Sequence, residues 1–307
     1  MSAKIVTCVS YHHIEATTSP FTQHLGVSTS PEVFAQQLTY IKSRYQPITL
    51  DQMLGGDLPD KPLLLTIDDA YRSVHDIAAP MLAEAKIPAL LMTNSRVLKG
   101  AFVPLDNVLS LALCELGPTG LGMALGLADP WSCSMQVVVR QVLPALSVDA
   151  REDIKQRLLR LLNQNEAELA NRTGLFLDER QLKRLIAEHR FSIGSHTRSH
   201  VHLRALKPKD AADEIAGGKA ELEAAAGVLA RAFSVPYGSP RDLPPAILDI
   251  VRACGHEAVF LVKNRTNAVR PAPDVWYRQS MTRQQGLRLP AKLSWIPRIG
   301  ELKAALN

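Results

Sequence analysis

The sequence predicts an α/β barrel of seven or eight strands interrupted by a helical insertion, and three observations lead there. Short apolar runs alternate with amphipathic stretches at close intervals, the pattern of parallel strands joined by helical crossovers. Several runs end in polar, reactive residues, as strands do at the working end of a barrel. Between Pro104 and Thr173 the strand signal lapses, for longer than one crossover needs.

Taken in order, residues 5–9 read as a buried strand ending at Ser10-Tyr11-His12-His13. Ser30-Pro31-Glu32 opens a helix: Ser30 can cap it, Pro31 suits its first turn, and Phe34, Leu38 and Ile41 share a face. Residues 47–50 suggest a second short strand. The clearest strand, 61–67, runs into Asp68-Asp69. A helix over 74–85 and a strand over 89–92 follow. Residues 105–116, 135–146 and 150–172 read as helices. Alternation then resumes with a helix from Asp178 to His189, a strand at 191–193 before Gly194, and a long helix over 209–229. A strand at 232–235, a helix over 245–254, a strand at 258–262 and a last strand near 275–277 complete the pattern. The expected division is two barrel parts, 1–103 and 174–285, around an insertion at 104–173, with a basic C-terminal segment at 286–307.

Composition narrows the class. With 307 residues, 46% hydrophobic and 21% charged, the chain is neither disordered nor fibrous. A chain of this size buries enough surface to fold without disulfides or a structural metal. The net charge is only +5, and no nucleic-acid-reading motif is present, so no nucleic-acid partner is expected. From Lys263 onward there are nine Lys/Arg against two Asp/Glu. That end is either a solvated basic surface or a patch for an anionic substrate or membrane face. Cys8, Cys114, Cys133 and Cys254 have neither paired nor ligand-like spacing, as expected of free thiols in a reducing compartment. With no signal-peptide pattern and no apolar run of the ~18 residues that a span needs, the expectation is a cytoplasmic protein, peripheral to the inner membrane face.

Three places carry chemistry. Adjacent Asp68 and Asp69 are two carboxylates at the end of an apolar strand, where burial demands a compensating partner. Their side chains diverge, so one can bind a cation while the other faces substrate; capping of the next helix is the competing reading. His196 and His200, four residues apart, can bring both imidazoles to one point, and two histidines with a carboxylate suit Zn²⁺. In Val235-Pro236-Tyr237-Gly238 the proline stiffens a turn whose glycine permits φ > 0. Such a turn can aim the Tyr237 N–H at a developing oxyanion or serve only as a packing corner.

Together these residues resemble the polysaccharide deacetylases of carbohydrate esterase family 4, the chitooligosaccharide deacetylase-like domain. The family's Thr-Phe-Asp-Asp-Gly is similar to Thr66-Ile67-Asp68-Asp69-Ala70 here. Its His-Ser/Thr-x-x-x-His motif, or a form one residue shorter, is similar to His196-Thr197-Arg198-Ser199-His200. Its Arg-x-Pro-Tyr-Gly or Tyr-Pro-Tyr-Gly is similar to Ser234-Val235-Pro236-Tyr237-Gly238. The opening Tyr11-His12-His13-Ile14 and the helix start at Ser30 resemble one branch of the family. The likeness spans roughly residues 4–99 and 176–279.

The resemblance implies a deformed (β/α) barrel that removes an N-acyl group from an amino sugar. It implies one divalent metal held by Asp69, His196 and His200, with Zn²⁺ ahead of Co²⁺, Ni²⁺ and Fe²⁺. Asp68 would be the general base, and Tyr237 would supply the oxyanion N–H. Many members draw the general acid from a late Leu-x-His motif. This chain reads Leu287-Arg288-Leu289-Pro290 and has no histidine after His256. His12 is the first candidate to replace it, then His13, then Asp68 returning its own proton. Arg278 either pairs with Asp68 and tunes it, binds an anionic group, or is a surface arginine. His24, His75, His189 and His202 read as surface or structural, and His256, after Gly255 and before a strand, reads as lying on the wrong barrel face. Ile67 for Phe is conservative packing; Ala70 for Gly is awkward wherever φ > 0 is required.

A cytoplasmic enzyme of this kind would meet a lipid-linked sugar, a nucleotide-linked sugar or a small N-acylated metabolite. The insertion, with Trp131 near its middle, would roof the cleft or make a contact between subunits of a homo-oligomer. Two rivals stay open: a hydrolase of a non-sugar amide or formamide, and a catalytically idle glycan-binding domain. A glycoside hydrolase would need two carboxylates facing each other across at least ~5 Å, which adjacent aspartates fit poorly.

Overall fold

The computed structural model describes residues 5–265, 267–268, 275–281 and 293. The reading of Leu287-Arg288-Leu289-Pro290 lies outside those residues, as does the expected C-terminal segment apart from Leu293. Seven strands form the barrel: β1 (Ile5–Tyr11), β2 (Pro62–Asp68), β3 (Ala89–Thr93), β4 (Ser192–Ser195), β5 (Ala232–Ser234), β6 (Ala258–Val262) and β7 (Val275–Ser280). Each pairs in parallel with the next. β7 pairs with β1, which closes the ring. Two-residue strands extend it, Gln46–Pro47 along β2 and Asn267–Ala268 antiparallel to β1.

Register gives the barrel a simple rule. Cys8 lies opposite Leu64 and Arg278, Asp68 opposite Met92, and Met92 opposite Gly194. Gly194 lies opposite Ala232, Ala232 opposite Ala258, and Trp276 opposite Phe260. All are even-numbered, and alternate residues of a strand share a face. Val6, Cys8, Leu64, Leu90, Met92, Ala232, Ala258, Phe260 and Trp276 accordingly cluster inside the barrel. Odd-numbered Val9, Leu63, Leu65, Ile67, Leu91 and Ile193 pack outward against helix residues such as Phe34, Leu38, Leu182, Leu185 and Leu222. Gly194 is needed at the crowded axis, because a Cβ there would collide with Met92 Sδ and stand 2.9 Å from the Ala232 carbonyl oxygen.

The helices begin where the sequence offers caps. Ser30 Oγ accepts from the Val33 N–H at the start of Pro31–Arg44. The strand expected at 47–50 is shorter than the sequence suggested: Thr49 and Gln52 form a capping box, which turns Leu50–Gly55 into a helix. The last barrel strand is longer, placing Arg278 inside it and not at its end.

Residues 104–173 contain helices and, among the described residues, no barrel strand. Leu105–Leu125 is broken at Gly117, whose φ of +67° precedes Pro118. It is long and apolar enough to cross a membrane by length and composition alone. Yet Val108, Leu109, Ala112 and Leu121 pack in this region's own core with Val138, Leu143, Leu158 and Leu159. The single helix expected over 150–172 is two, Val148–Leu161 and Glu166–Thr173. Asn163 between them is left-handed (φ +51°) and Asn165 caps the second, roles that asparagine's short polar side chain suits.

His256 is buried beside Phe233, with ring centroids 5.2 Å apart, and burial pushes its imidazole down to about 3. The unfolded imidazole titrates near ~6.5, so below that pH only the unfolded chain gains the proton. Stability measured by urea unfolding should therefore fall between about pH 6.5 and 3, with this residue contributing up to roughly 5 kcal/mol of the loss. His256→Leu should flatten that slope; an unchanged slope would contradict the assignment.

Candidate active site

The polar residues gather at the C-terminal mouth of the strands. A cavity of about 180 Å³ is lined there by His12, Asp68, Asp69, His196, His200, Tyr237 and Arg278, together with Asn94, Asp106 and Asn107. Its apolar walls include Leu25, Val27, Met135, Val139, Phe176 and Val262.

Asp68 is the last residue of β2 and even-numbered, so it faces the barrel interior, where it is 2% exposed. Arg278, 0% exposed, meets it end-on: Nη1 donates to Oδ1 at 2.6 Å and Nη2 to Oδ2 at 2.7 Å. Arg278 also donates to Thr66 Oγ1 and Ser234 Oγ, and the Ser234 hydroxyl reaches Asp68 Oδ2 at 3.2 Å. Burial alone would raise the Asp68 pKa, but the Arg278 charge and hydrogen bonds hold it far below the usual carboxylate range.

Asp69 leaves the strand with φ +73°, and Ala70 follows at φ +56°, the left-handed conformation that a glycine would adopt without steric cost. The bend turns Asp69 away from Asp68 and toward the histidines. His196 Nε2 and His200 Nε2 lie 3.4 and 3.6 Å from Asp69 Oδ1. Ligand atoms of the three residues all fall within 4.8 Å of one another.

The ring nitrogens facing away are already engaged: His196 Nδ1 donates to the Ser234 carbonyl at 2.7 Å, and His200 Nδ1 donates to Asp106 Oδ2 at 2.9 Å. With protons on both Nδ1 atoms, the two Nε2 lone pairs point inward. Asp69 Oδ1 is buried and makes no hydrogen bond among the described residues. One orphaned carboxylate oxygen and two inward imidazole lone pairs fit a divalent cation.

The histidine turn is held from outside. Glu214, 5% exposed, accepts from the Arg198 N–H (3.1 Å), the Ser199 N–H (2.9 Å) and the Ser199 hydroxyl (2.6 Å). Thr197 Oγ1 accepts from the His200 N–H at 3.0 Å. The helix Gly218–Ala226 begins against this turn: a Cβ on Gly218 would stand 2.8 Å from the Arg198 nitrogen.

Tyr237 is left-handed at φ +63°. Its ring stacks on His202 at 3.5 Å, and its hydroxyl donates to Asp106 Oδ1 at 2.9 Å. Of the two histidines among the candidate acids, His12 lines the cavity with Nδ1 buried and without a hydrogen-bond partner among the described residues; burial lowers its pKa. His13, the next residue, does not line it. Its Nδ1 pairs with Ser73 Oγ at 2.6 Å, its Nε2 with Glu15 at 3.0 Å, and its ring stacks on Tyr71. Pro236 is buried behind the lining residues Val235 and Tyr237.

Asp106, Arg151 and Glu214 were not singled out by the sequence. Asp106 lies within an apolar stretch and Glu214 within an Ala/Glu-rich one, and no motif marks either. Neither follows a strand, so only the fold brings them to the site.

Residues 145–259 match the polysaccharide deacetylase family model, the family that the three motifs resemble. The matched span holds His196, His200 and Tyr237; Asp68 and Asp69 lie before it and reach the same cavity through the barrel. No curated protein matches this chain. Solved structures share the fold. A polysaccharide deacetylase from Bacillus cereus is 15% identical over 95% of this chain and 70% of its own, with TM-score 0.61. The deacetylase PplD of Streptococcus pyogenes, solved in complex with acetate, is 15% identical over 95% and 100%, TM-score 0.58. IcaB from Ammonifex degensii is 20% identical over 96% and 98%, TM-score 0.59. The deformed (β/α) barrel expected from the sequence is thus the fold found.

Removing one partner of a buried ion pair strands the other's charge, at a cost of about 3–5 kcal/mol. Arg278→Met should lose stability of that size in urea unfolding. Combined with Asp68→Asn, it should lose clearly less than the sum of the two single changes. Additive losses would show that the pair is not coupled.

Proposed function

We propose that this chain, which carries the barrel and the motif set of the polysaccharide deacetylases, is a metal-dependent hydrolase that removes an N-acyl group from an amino sugar. One observation carries the reading: the inward convergence of Asp69, His196 and His200 beside the ionised Asp68. Asp69, His196 and His200 would hold one divalent ion, Zn²⁺ by donor type, with Co²⁺, Ni²⁺ or Fe²⁺ as substitutes. When bound, such an ion lowers the pKa of water and polarises an acyl carbonyl.

The remaining steps belong to side chains. Asp68 Oδ1 receives one Arg278 hydrogen bond, which leaves a lone pair to take the proton of the attacking water. Arg278 fixes that carboxylate and keeps it ionised. The Tyr237 N–H, on a turn held in a left-handed conformation, donates to the oxyanion of the tetrahedral intermediate. His12 hands the departing amine the proton that Asp68 took from water, so the neutral imidazole is restored as the C–N bond breaks to a carboxylate and a free amino group.

The substrate reading is a lipid-linked or nucleotide-linked precursor sugar, met by a cytoplasmic protein at the inner membrane face. Four free cysteines among the described residues support the reducing compartment. A second reading, a smaller N-acyl compound or formamide, is favoured by the modest cavity and its walls of Leu25, Val27, Met135 and Val139.

The test is acyl release from N-acetyl and N-formyl amino sugars by Zn²⁺-loaded protein. Asp68→Asn, checked for folding, should retain metal and lose about 10²–10⁴-fold in kcat, while His200→Ala should lose the metal. Release from small amides alone would favour the second reading. No release from any substrate by metal-loaded protein would reject both.

A further inference from the structure

We propose that Asp106 is a positioning residue of the metal site, through which the helical insertion holds both His200 and Tyr237 in place. The inference rests on the functional reading above. Asp106 sits in the first turn of the helix Leu105–Leu125 and is 6% exposed. Its two carboxylate oxygens serve two site residues: Oδ2 accepts from His200 Nδ1 at 2.9 Å, and Oδ1 accepts from the Tyr237 hydroxyl at 2.9 Å.

Arg151, on the next long helix of the insertion and 4% exposed, backs the same group. Its Nη2 lies 3.7 Å from Asp106 Oδ2 and donates to the His200 carbonyl at 2.9 Å and the Tyr237 hydroxyl at 3.2 Å. Tyr237 also packs against the insertion's apolar core.

The arrangement does two things that a lid would not. A carboxylate on Nδ1 fixes the imidazole's tautomer and rotation and makes its Nε2 a better donor. His200 needs that support, because it sits at φ +58°, on a turn that neither strand nor helix hydrogen bonds would hold. The second oxygen anchors the side chain of the residue whose backbone N–H faces the reaction. Metal affinity thereby depends on a helix that supplies no ligand.

The experiment measures Zn²⁺ and Co²⁺ affinity by chelator competition, together with the visible absorption of the Co²⁺-loaded protein, without substrate. Asp106→Ala should weaken binding about 100-fold and Asp106→Asn about 10-fold, with altered Co²⁺ bands, since outer partners of metal-bound histidines carry roughly 10–100-fold in affinity. Tyr237→Phe removes a bond to Asp106 but leaves His200's partner, and should bind within about 3-fold of wild type. Were Asp106→Ala unable to fold, the near-isosteric Asp106→Asn decides. Binding by a folded Asp106→Asn within 2-fold of wild type, with the same Co²⁺ spectrum, would overturn the role while leaving the functional reading intact. A wild type that binds neither metal would overturn both.

Discussion

The pair between Asp68 and Arg278 is the constraint around which the barrel mouth is built. Two charges sit inside the sheet with essentially no solvent, and a buried charge persists only when paired and hydrogen-bonded. The pairing requires both residues to point inward at matching height, which the even-numbered register provides. It also requires room, which the small Ser234 leaves where the guanidinium and carboxylate meet. Thr66 and Ser234 supply the remaining partners. With Asp68 committed inward, the chain must bend for Asp69 to face the histidines, and that bend is the left-handed step at residues 69 and 70.

Backbone strain is concentrated accordingly. Among the described residues nine non-glycine positions have positive φ, and five of them, Asp69, Ala70, Thr197, His200 and Tyr237, are at the site. Such conformations persist only where their surroundings over-determine them. Here the surroundings are Glu214 behind the histidine turn, Gly218 close beneath it, and Asp106 with Arg151 from the insertion. The insertion is joined to the barrel chemistry by hydrogen bonds as well as by Met135 and Val139 in the cavity wall.

Much of this was legible in the sequence, for physical reasons. Short continuous apolar runs marked the strands, and reactive residues after them marked the mouth. The motif resemblance then selected Asp68, Asp69, His196, His200 and Tyr237, which the fold gathers at one cavity. The choice between His12 and His13 needed the exact alternation past the end of β1, which turns neighbours to opposite sides. Asp106 and Arg151 could not be read, because they lie 94 and 49 residues from His200 on helices whose docking no local pattern specifies. The breaks at Asn163 and Gly117 and the early helix at Leu50 are turn and capping effects that outweigh apolar periodicity over a few residues.

Asp69, His196 and His200 are proposed to form one metal site at the barrel mouth. Anomalous diffraction from Zn²⁺-soaked crystals, collected on both sides of the zinc edge, tests it most directly. A single strong peak bonded to the Asp69 carboxylate and to Nε2 of both histidines is the predicted result. No peak there at saturating zinc, or zinc bound through Nδ1 with the Asp106 contact broken, would overturn that site.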